Sequence, residues 1–283
     1  MRISLLLLFF LLTSTLSGWA ETDRTMVEVR DGIYRASSGN YHSLVWVTSQ
    51  GIAVVDPIDR KTAQWLKKEL ESRFHQPVRY LIYSHNHPDH ALGGDVFDDP
   101  RTIVVSHQYA AEDMEWSKLK TRLPELRFQD RLELKLGGKT LALKYHGPNN
   151  GRGSVSFHFP EQKVLFVVDW IVVGRMPYRD LPGYDIHGMI RSTREVLQMD
   201  WNLFVGGHAK VGNKDDVRRS LSYLEALYAQ VRDGMLEGKS LEELKKDVTL
   251  EEFSDLANFE DWRALNIEGV YRTLKDASYI LRR

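Results

Sequence analysis

Four side chains able to bind a metal ion stand within six residues of one another in the run Ser84-His85-Asn86-His87-Pro88-Asp89-His90. Imidazole nitrogens and carboxylate oxygens are the donors that hold zinc and similar divalent cations. Their spacing has a geometric meaning. His85 and His87, two apart in extended chain, project to the same side and can clamp one ion. Pro88 forces a bend, after which Asp89 and His90 swing toward a second position. Gly93 and Gly94 permit close backbone approach nearby. The chemistry implied is metal-assisted, with a divalent ion lowering the pKa of water to about 7 so that hydroxide is available at neutral pH. The chain has no cysteine, which excludes disulfides, thiolate ligands, cysteine nucleophiles and redox-thiol catalysis.

Elements must deliver these donors. The cluster directly follows an apolar run at 78–83 that reads as a buried strand, so it sits at a strand's carboxyl end, where α/β folds place their sites. Upstream, 44–48 and 52–55 read as strands parted by a turn at Gly51, the second ending at Asp56-Pro57. Residues 61–74 carry Trp65, Leu66, Leu70 and Phe74 at helical spacing, and Pro77 stops that helix. Residues 103–105 make another strand. Residues 132–136 and 140–144 flank Gly137-Gly138, a two-residue hairpin signal. Strands at 154–159 and 164–168 follow, joined through Pro160. Strands interleaved with helices indicate α/β layering. After His208 the pattern turns helical. Residues 215–236 place Val217, Leu221, Leu224, Val231 and Met235 on one face, and Ser240/Glu243 and Thr249/Glu252 are capping-box candidates opening further helical stretches.

With 283 residues, 42% of them hydrophobic, the chain is long and apolar enough for a sizeable buried core. The 38 basic and 39 acidic residues leave a formal net charge of −1, which asks for neither a nucleic-acid partner nor an anionic membrane. Arg2 followed by the apolar run Leu5 to Leu12 and by Gly18-Trp19-Ala20 reads as a signal peptide over residues 1–20, with a mature chain starting near Glu21 in an exported compartment, the periplasm of a bacterium. No second run of about 18 apolar residues occurs, so no integral membrane segment is expected in the mature chain.

His85-x-His87-x-Asp89-His90 resembles the signature of the metallo-β-lactamase superfamily, and other landmarks from about 27 to 211 fall in the matching order. Ile52-Ala53-Val54-Val55-Asp56 resembles the early strand whose aspartate supports the site from behind. Val164-Leu165-Phe166-Val167-Val168-Asp169 resembles the strand carrying the carboxylate that bridges two metals. Phe204-Val205-Gly206-Gly207-His208 resembles the late strand and turn bearing the last histidine ligand. The resemblance implies an αββα sandwich binding one or two ions, usually zinc, at the edge between its sheets, here with a helical C-terminal extension. The implied division is a core domain over 21–212 and an extension over 213–283 packed on that domain.

The resemblance also implies roles. His85 and His87 match ligands of the first metal, Asp89, His90 and His208 those of the second, and Asp169 the bridging ligand. Asn150 stands where a third histidine of the first site is expected, in the run Gly147-Pro148-Asn149-Asn150-Gly151. An amide oxygen is a poorer donor than imidazole, so the second site is expected to hold its ion more tightly. His146, four residues upstream, is the alternative ligand. Asp89 would orient the nucleophile and accept its proton as the catalytic carboxylate. The segment 170–181 is expected to overhang the site, with Arg175, Tyr178 and Arg179 as substrate-binding candidates. His42 is either near the mouth or a packing residue. His75, His107, His158 and His187 read as structural, and Trp262, Asn266 and Tyr271 as helix-packing residues. The expected function is an exported zinc hydrolase acting on an ester- or amide-like carbonyl of a small molecule, such as a lactone, β-lactam or thioester. The alternative is a non-hydrolytic metal-binding or accessory protein of a periplasmic pathway. Either reading requires Asp169 and His208 to come within about 10 Å of the His85 imidazole.

Overall fold

Twelve strands are sorted into two sheets by chain order in a computed structural model that describes residues 23–277. The signal peptide expected over 1–20 lies outside the described residues. The first sheet takes β1 (Arg24–Arg30), β2 (Ile33–Ser38), β3 (Tyr41–Thr48) and β4 (Gly51–Val55) as an antiparallel meander. It then continues in parallel through β5 (Val78–Ile82), β6 (Ile103–His107) and β7 (Leu126–Phe128). Parallel neighbours need crossovers, which α1 (Arg60–Phe74) and α3 (Gln108–Trp116) supply on either side of a short α2 (Pro88–Ala91). The second sheet holds β8 (Arg131–Leu136), β9 (Lys139–Tyr145), β10 (Val155–Phe159), β11 (Val164–Val167) and β12 (Leu203–Gly206). Its only parallel pair, β11 and β12, is joined over α4 (Ile186–Leu197).

Side-chain alternation explains the layering. Leu44 and Trp46 of β3 enter the core between the sheets, whereas Val45 faces the helices with Leu66 and Leu70 of α1. On β11, Val164 and Phe166 point into the inter-sheet core and Leu165 and Val167 into the outer layer. Trp46 meets Phe159 edge-on at 5.5 Å across the gap. The Gly137-Gly138 turn closes the β8–β9 hairpin with Leu136 opposite Lys139 and both glycines at positive φ, as a two-residue loop demands. Asp59, which the sequence reading passed over, caps α1 by accepting from Thr62 N–H at 2.8 Å, and His75 ends it in the left-handed conformation.

The tail forms α5 (Lys214–Leu236), α6 (Leu241–Asp247) and α7 (Phe259–Ala277) against the outer face of the second sheet. Val217, Leu224 and Val231 of α5 join Leu165 and Val167 of β11 and Met189 of α4 in one hydrophobic cluster. The Ser240/Glu243 capping box forms, but the one expected at Thr249/Glu252 does not. Leu250 takes a left-handed conformation and only a three-residue 3₁₀ turn follows, so α7 starts at Phe259. No helix of the described residues is long and apolar enough to cross a membrane.

Candidate metal centre

Every donor named from the sequence except Asn150 and the alternative His146 emerges beyond the carboxyl end of a parallel strand. His85 and His87 follow β5, Asp89 and His90 lie on α2, Asp169 follows β11, and His208 follows β12. The sheet edge therefore gathers side chains that are more than a hundred residues apart. Asp169 is the hub. Its Oδ2 lies 3.1 Å from His85 Nε2 and 3.4 Å from His87 Nδ1, and its Oδ1 lies 3.0 Å from His208 Nε2 and 3.6 Å from His90 Nε2. The donor atoms form two groups, His85/His87/Asp169 and Asp89/His90/His208, each within 4.8 Å. Asp89 differs from the others in being open, its side chain 47% exposed with Oδ2 3.9 Å from His90 Nε2.

Buried partners behind the site fix which imidazole nitrogen faces forward. Asp56 accepts from Ser84 N–H at 2.7 Å and from the Ser84 hydroxyl at 2.6 Å. With that hydroxyl proton committed, Ser84 Oγ accepts from His85 Nδ1–H at 2.8 Å, which leaves the His85 Nε2 lone pair facing Asp169. Asp56 Oδ2 also lies 3.4 Å from His90 Nδ1. His208 Nδ1–H donates to Asn40 O at 2.7 Å, again leaving Nε2 forward. His42 is buried on β3 and locks the turn behind His208: its main-chain N–H donates to Gly207 O at 2.9 Å and its Nε2–H to Ala209 O at 3.1 Å. Burial pushes the His42 pKa down to about 4, with Arg35 adding to the effect. Asp56, Asp169 and Ala209 all hold positive φ around the centre, a strain of about 1–3 kcal/mol each that the surrounding contacts sustain.

The electrostatics call for positive charge. Burial alone would raise the Asp169 pKa, but the His90 charge, with the His208, His85 and His87 imidazoles gathered about its two oxygens, holds it well below the carboxylate range. Burial likewise disfavours a charged His90, yet Asp169 and Asp56 outweigh it and push His90 up to about 10. Burial pushes His85 down, and the His87 charge adds to it. Thus one buried carboxylate, ringed by imidazoles, favours a positive charge among them. His85 Nε2 and Asn150 Oδ1 are buried without a hydrogen-bond donor, which suits lone pairs meant for a cation. A divalent ion fits this donor set.

Asn150 reaches the site from the β9–β10 loop, fully buried, and its Nδ2–H donates to Asp169 Oδ2 at 2.7 Å. His146 does not serve as the alternative ligand: its Nδ1 pairs with Glu195 Oε2 and its Nε2 with Ser156 Oγ, both at 2.8 Å, so both ring nitrogens are engaged away from the centre. In front of the donors a cleft of about 670 Å³ is lined by Tyr41, Arg175, Tyr178, Tyr184 and Trp262 together with Asp89. Arg175 and Tyr178 both line that cleft. Arg179 is exposed and does not line the cleft, its guanidinium lying 5.8 Å over the Tyr178 ring. Trp262, expected to pack between helices, does pack against the outer-layer core and in addition forms cleft wall. Asn266 does serve packing, donating to Pro177 O at 3.1 Å and to Arg179 O while accepting from Tyr223 OH at 2.8 Å. His107 and His158 bond main-chain carbonyls of Gln129 and Asp200, and His187 rests edge-on to Tyr228. Tyr41, Tyr184 and the relay residue Ser84 were missed. Ser84 had a visible signal, being the last residue before the histidine run; the tyrosines had none.

The sequence profile described as the metallo-beta-lactamase superfamily matches residues 45–250, about three quarters of the chain, with the whole donor set inside the match. The chain belongs to the metallo-β-lactamase superfamily. The superfamily match runs through α5 and α6, so it takes in part of the helical tail. Among curated relatives, the chain is 26% identical over 243 residues to the 2,4-dinitroanisole O-demethylase subunit alpha of Nocardioides sp. (strain JS1661), covering 84% of this chain and 71% of that one. It is 23% identical over 210 residues to the subunit beta of the same enzyme, covering 71% of this chain and 64% of the subunit's length. A solved metallo-beta-lactamase from Pontibacter korlensis superposes with a TM-score of 0.65 at 18% identity, over 72% of this chain and 99% of that one, a likeness of fold.

Proposed function

We propose that this superfamily member is an exported zinc-dependent hydrolase that cleaves an ester- or amide-like carbonyl of a small molecule. The observation that carries the reading is the convergence of four imidazoles on the two oxygens of Asp169. In this reading His85, His87 and Asp169, with Asn150, would hold one ion, and Asp89, His90, His208 and Asp169 would hold another more tightly. A divalent ion bound by such donors acts as a Lewis acid and brings the pKa of water to about 7. The chain's own residues do the rest. Ser84 and Asp56 keep His85 in the tautomer that points Nε2 forward, and Asn40 does the same for His208. Asp89, open to the cleft, orients the attacking water and accepts its proton. Tyr41, edge-on to His208 at 5.1 Å, shields one side from bulk solvent.

Metal analysis of the purified protein, with lactone, β-lactam, thioester and phosphodiester substrates assayed with and without chelator, tests the reading. Chelator-sensitive turnover of a carbonyl substrate that is lost in Asp89→Ala is expected; metal binding without any turnover would overturn hydrolysis. That second outcome would favour the accessory reading, which the relatives support in one respect: both are named as subunits of one O-demethylase. In that case the chain acts on its substrate only with a partner chain. Export is tested by the N-terminus of the native protein, expected near Glu21.

A further inference from the structure

We propose that Arg191 and Ser192 of α4 are positioning residues for the metal centre: they hold the turn that carries Asn150, and through it keep the Asn150 amide against Asp169. The proposal rests on the reading in which Asn150 belongs to the His85/His87 group, and it names what places Asn150 there. Asn150 lies in neither β9 nor β10 but in the loop between them, so its position must be set from outside the sheet. Asn149 and Asn150 are both fully buried, yet their amides engage different partners. Asn150 Nδ2–H donates to Asp169 Oδ2 at 2.7 Å. Asn149 Oδ1 accepts from the Asn150 main-chain N–H, and Asn149 Nδ2–H donates to Ser192 Oγ at 3.1 Å. One amide of the pair is engaged by the helix while the other reaches the centre.

The helix meets the turn along a single stripe. Gly188, Arg191, Ser192 and Glu195 are spaced i, i+3, i+4 and i+7, which aligns them on one face of α4, while Met189 and Val196 enter the outer hydrophobic core. Arg191 Nε–H donates to His146 O at 3.2 Å and its Nη2–H to Pro148 O at 2.9 Å, so one guanidinium bridges two carbonyls of the turn. It lies over Gly147, where a β-carbon would come 2.6 Å from Nη2. Gly188 lets the helix approach the turn, since a β-carbon there would overlap Pro148 O. Asp185, the N-cap of α4, donates its main-chain N–H to Asn149 O at 2.7 Å. Glu195 takes His146 Nδ1 at the far end of the stripe. The carbonyls of residues 146, 148 and 149 thus all find donors on α4 or its cap. Arg194, on the same helix, is committed instead to Glu225 of α5. A helix face that met only solvent would need neither the glycine nor this set of donors.

Proton exchange in the metal-free protein tests the positioning directly. The side-chain amide protons of Asn150, assigned by their loss in Asn150→Ala, are expected to exchange slowly with solvent in the wild type, because that amide is buried and bonded to a carboxylate. Arg191→Met and Ser192→Ala are expected to speed this exchange by about tenfold or more, and Arg191→Lys, which can still reach one carbonyl, by less. Arg194→Met should leave it at the wild-type rate. Metal titration supplies the second readout. Both positioning variants should weaken the ion at the His85/His87 group by about tenfold, while the ion at Asp89, His90 and His208 stays within about a factor of two and so reports an intact fold. In the Asn150→Ala background Arg191→Met should have no further effect on either ion. Fast exchange in the wild type, or exchange unchanged in both variants, overturns the proposal. So does an equal loss of both ions, which would make the contacts ones of general stability. The reading of Asn150 fails separately, if Asn150→Ala binds both ions as the wild type does while the exchange rates still follow Arg191 and Ser192.

Discussion

The back of the metal centre and its front are built on different principles. Behind, Asp56, Ser84, His85 and His90 are fully or almost fully buried, and Asp56, Ser84 and His85 Nδ1 are joined by hydrogen bonds of 2.6–2.8 Å. In front, Asp89 is open, Arg175 has no acidic partner, and the wall is made of rings from β3, the segment after β11, and α7. The back fixes the directions of lone pairs and tolerates little change, because a buried polar group left without its partner costs about 1–3 kcal/mol. The front is lined by side chains whose replacement alters fit more than integrity.

That contrast can be broken most severely at the hub. Asp169→Asn removes the carboxylate shared by both donor groups, and the loss of one partner from a buried ionic cluster, about 3–5 kcal/mol, corresponds to a fall of two to four orders of magnitude in metal affinity. Competition with a chromogenic chelator measures it, and affinity within a factor of a few of wild type would show that Asp169 is not the hub. Asp56→Asn touches no cation-facing atom, yet it disturbs the relay through Ser84 and the His90 contact, so a 10–100-fold loss of metal affinity is expected. Asn266→Ala attacks the front instead. It strips the Pro177 and Arg179 carbonyls of their donor and should lower stability by about 1–3 kcal/mol with metal affinity unchanged, as read by urea denaturation and metal titration on the same variant. Loss of metal in that variant would mean that front and back are not separable. Asn150→His is expected to tighten the ion at the His85/His87 group by roughly tenfold, since imidazole is the better donor, and equal stoichiometry and affinity in both proteins would show that Asn150 does not weaken that group.

A separate prediction is a pH dependence at His42. Its folded pKa, about 4, lies below the value of about 6.5 in an unfolded chain, so the unfolded state binds a proton that the native state refuses. The stability associated with neutral His42 is complete above pH 6.5 and is lost as pH falls from 6.5 toward 4. Melting curves of wild type and His42→Gln over that window should diverge, with the variant showing the shallower decline; parallel curves would remove His42 from the account of the turn behind His208.

Much of this was legible before any coordinates. The strand at 78–83 with its histidine run, the Gly137-Gly138 hairpin, the α1 stripe of Leu66 and Leu70, and the strands ending at Asp56 and Asp169 all express periodicities or turn preferences local to a few residues. Failures arose where the deciding contact was remote. Thr249/Glu252 has the letters of a capping box, yet packing sets Leu250 in a left-handed turn. Trp262 packs as its spacing implies, and only the position of the segment around Arg175 makes it cleft wall as well. His146 lies four residues from Asn150, but strand direction aims it at Glu195 and Ser156.

The sequence by itself determined the donors and their local geometry: which atoms bind a cation, and that two imidazoles followed by a proline bend can serve two positions. Only the tertiary structure decided that Asp169 and His208 meet them and that Asn150 turns its amide hydrogen to Asp169. The reason is one of range. Backbone dihedrals and side-chain type act over a few residues, whereas the approach of groups separated by eighty or more positions is set by strand order and by which face of each sheet is buried.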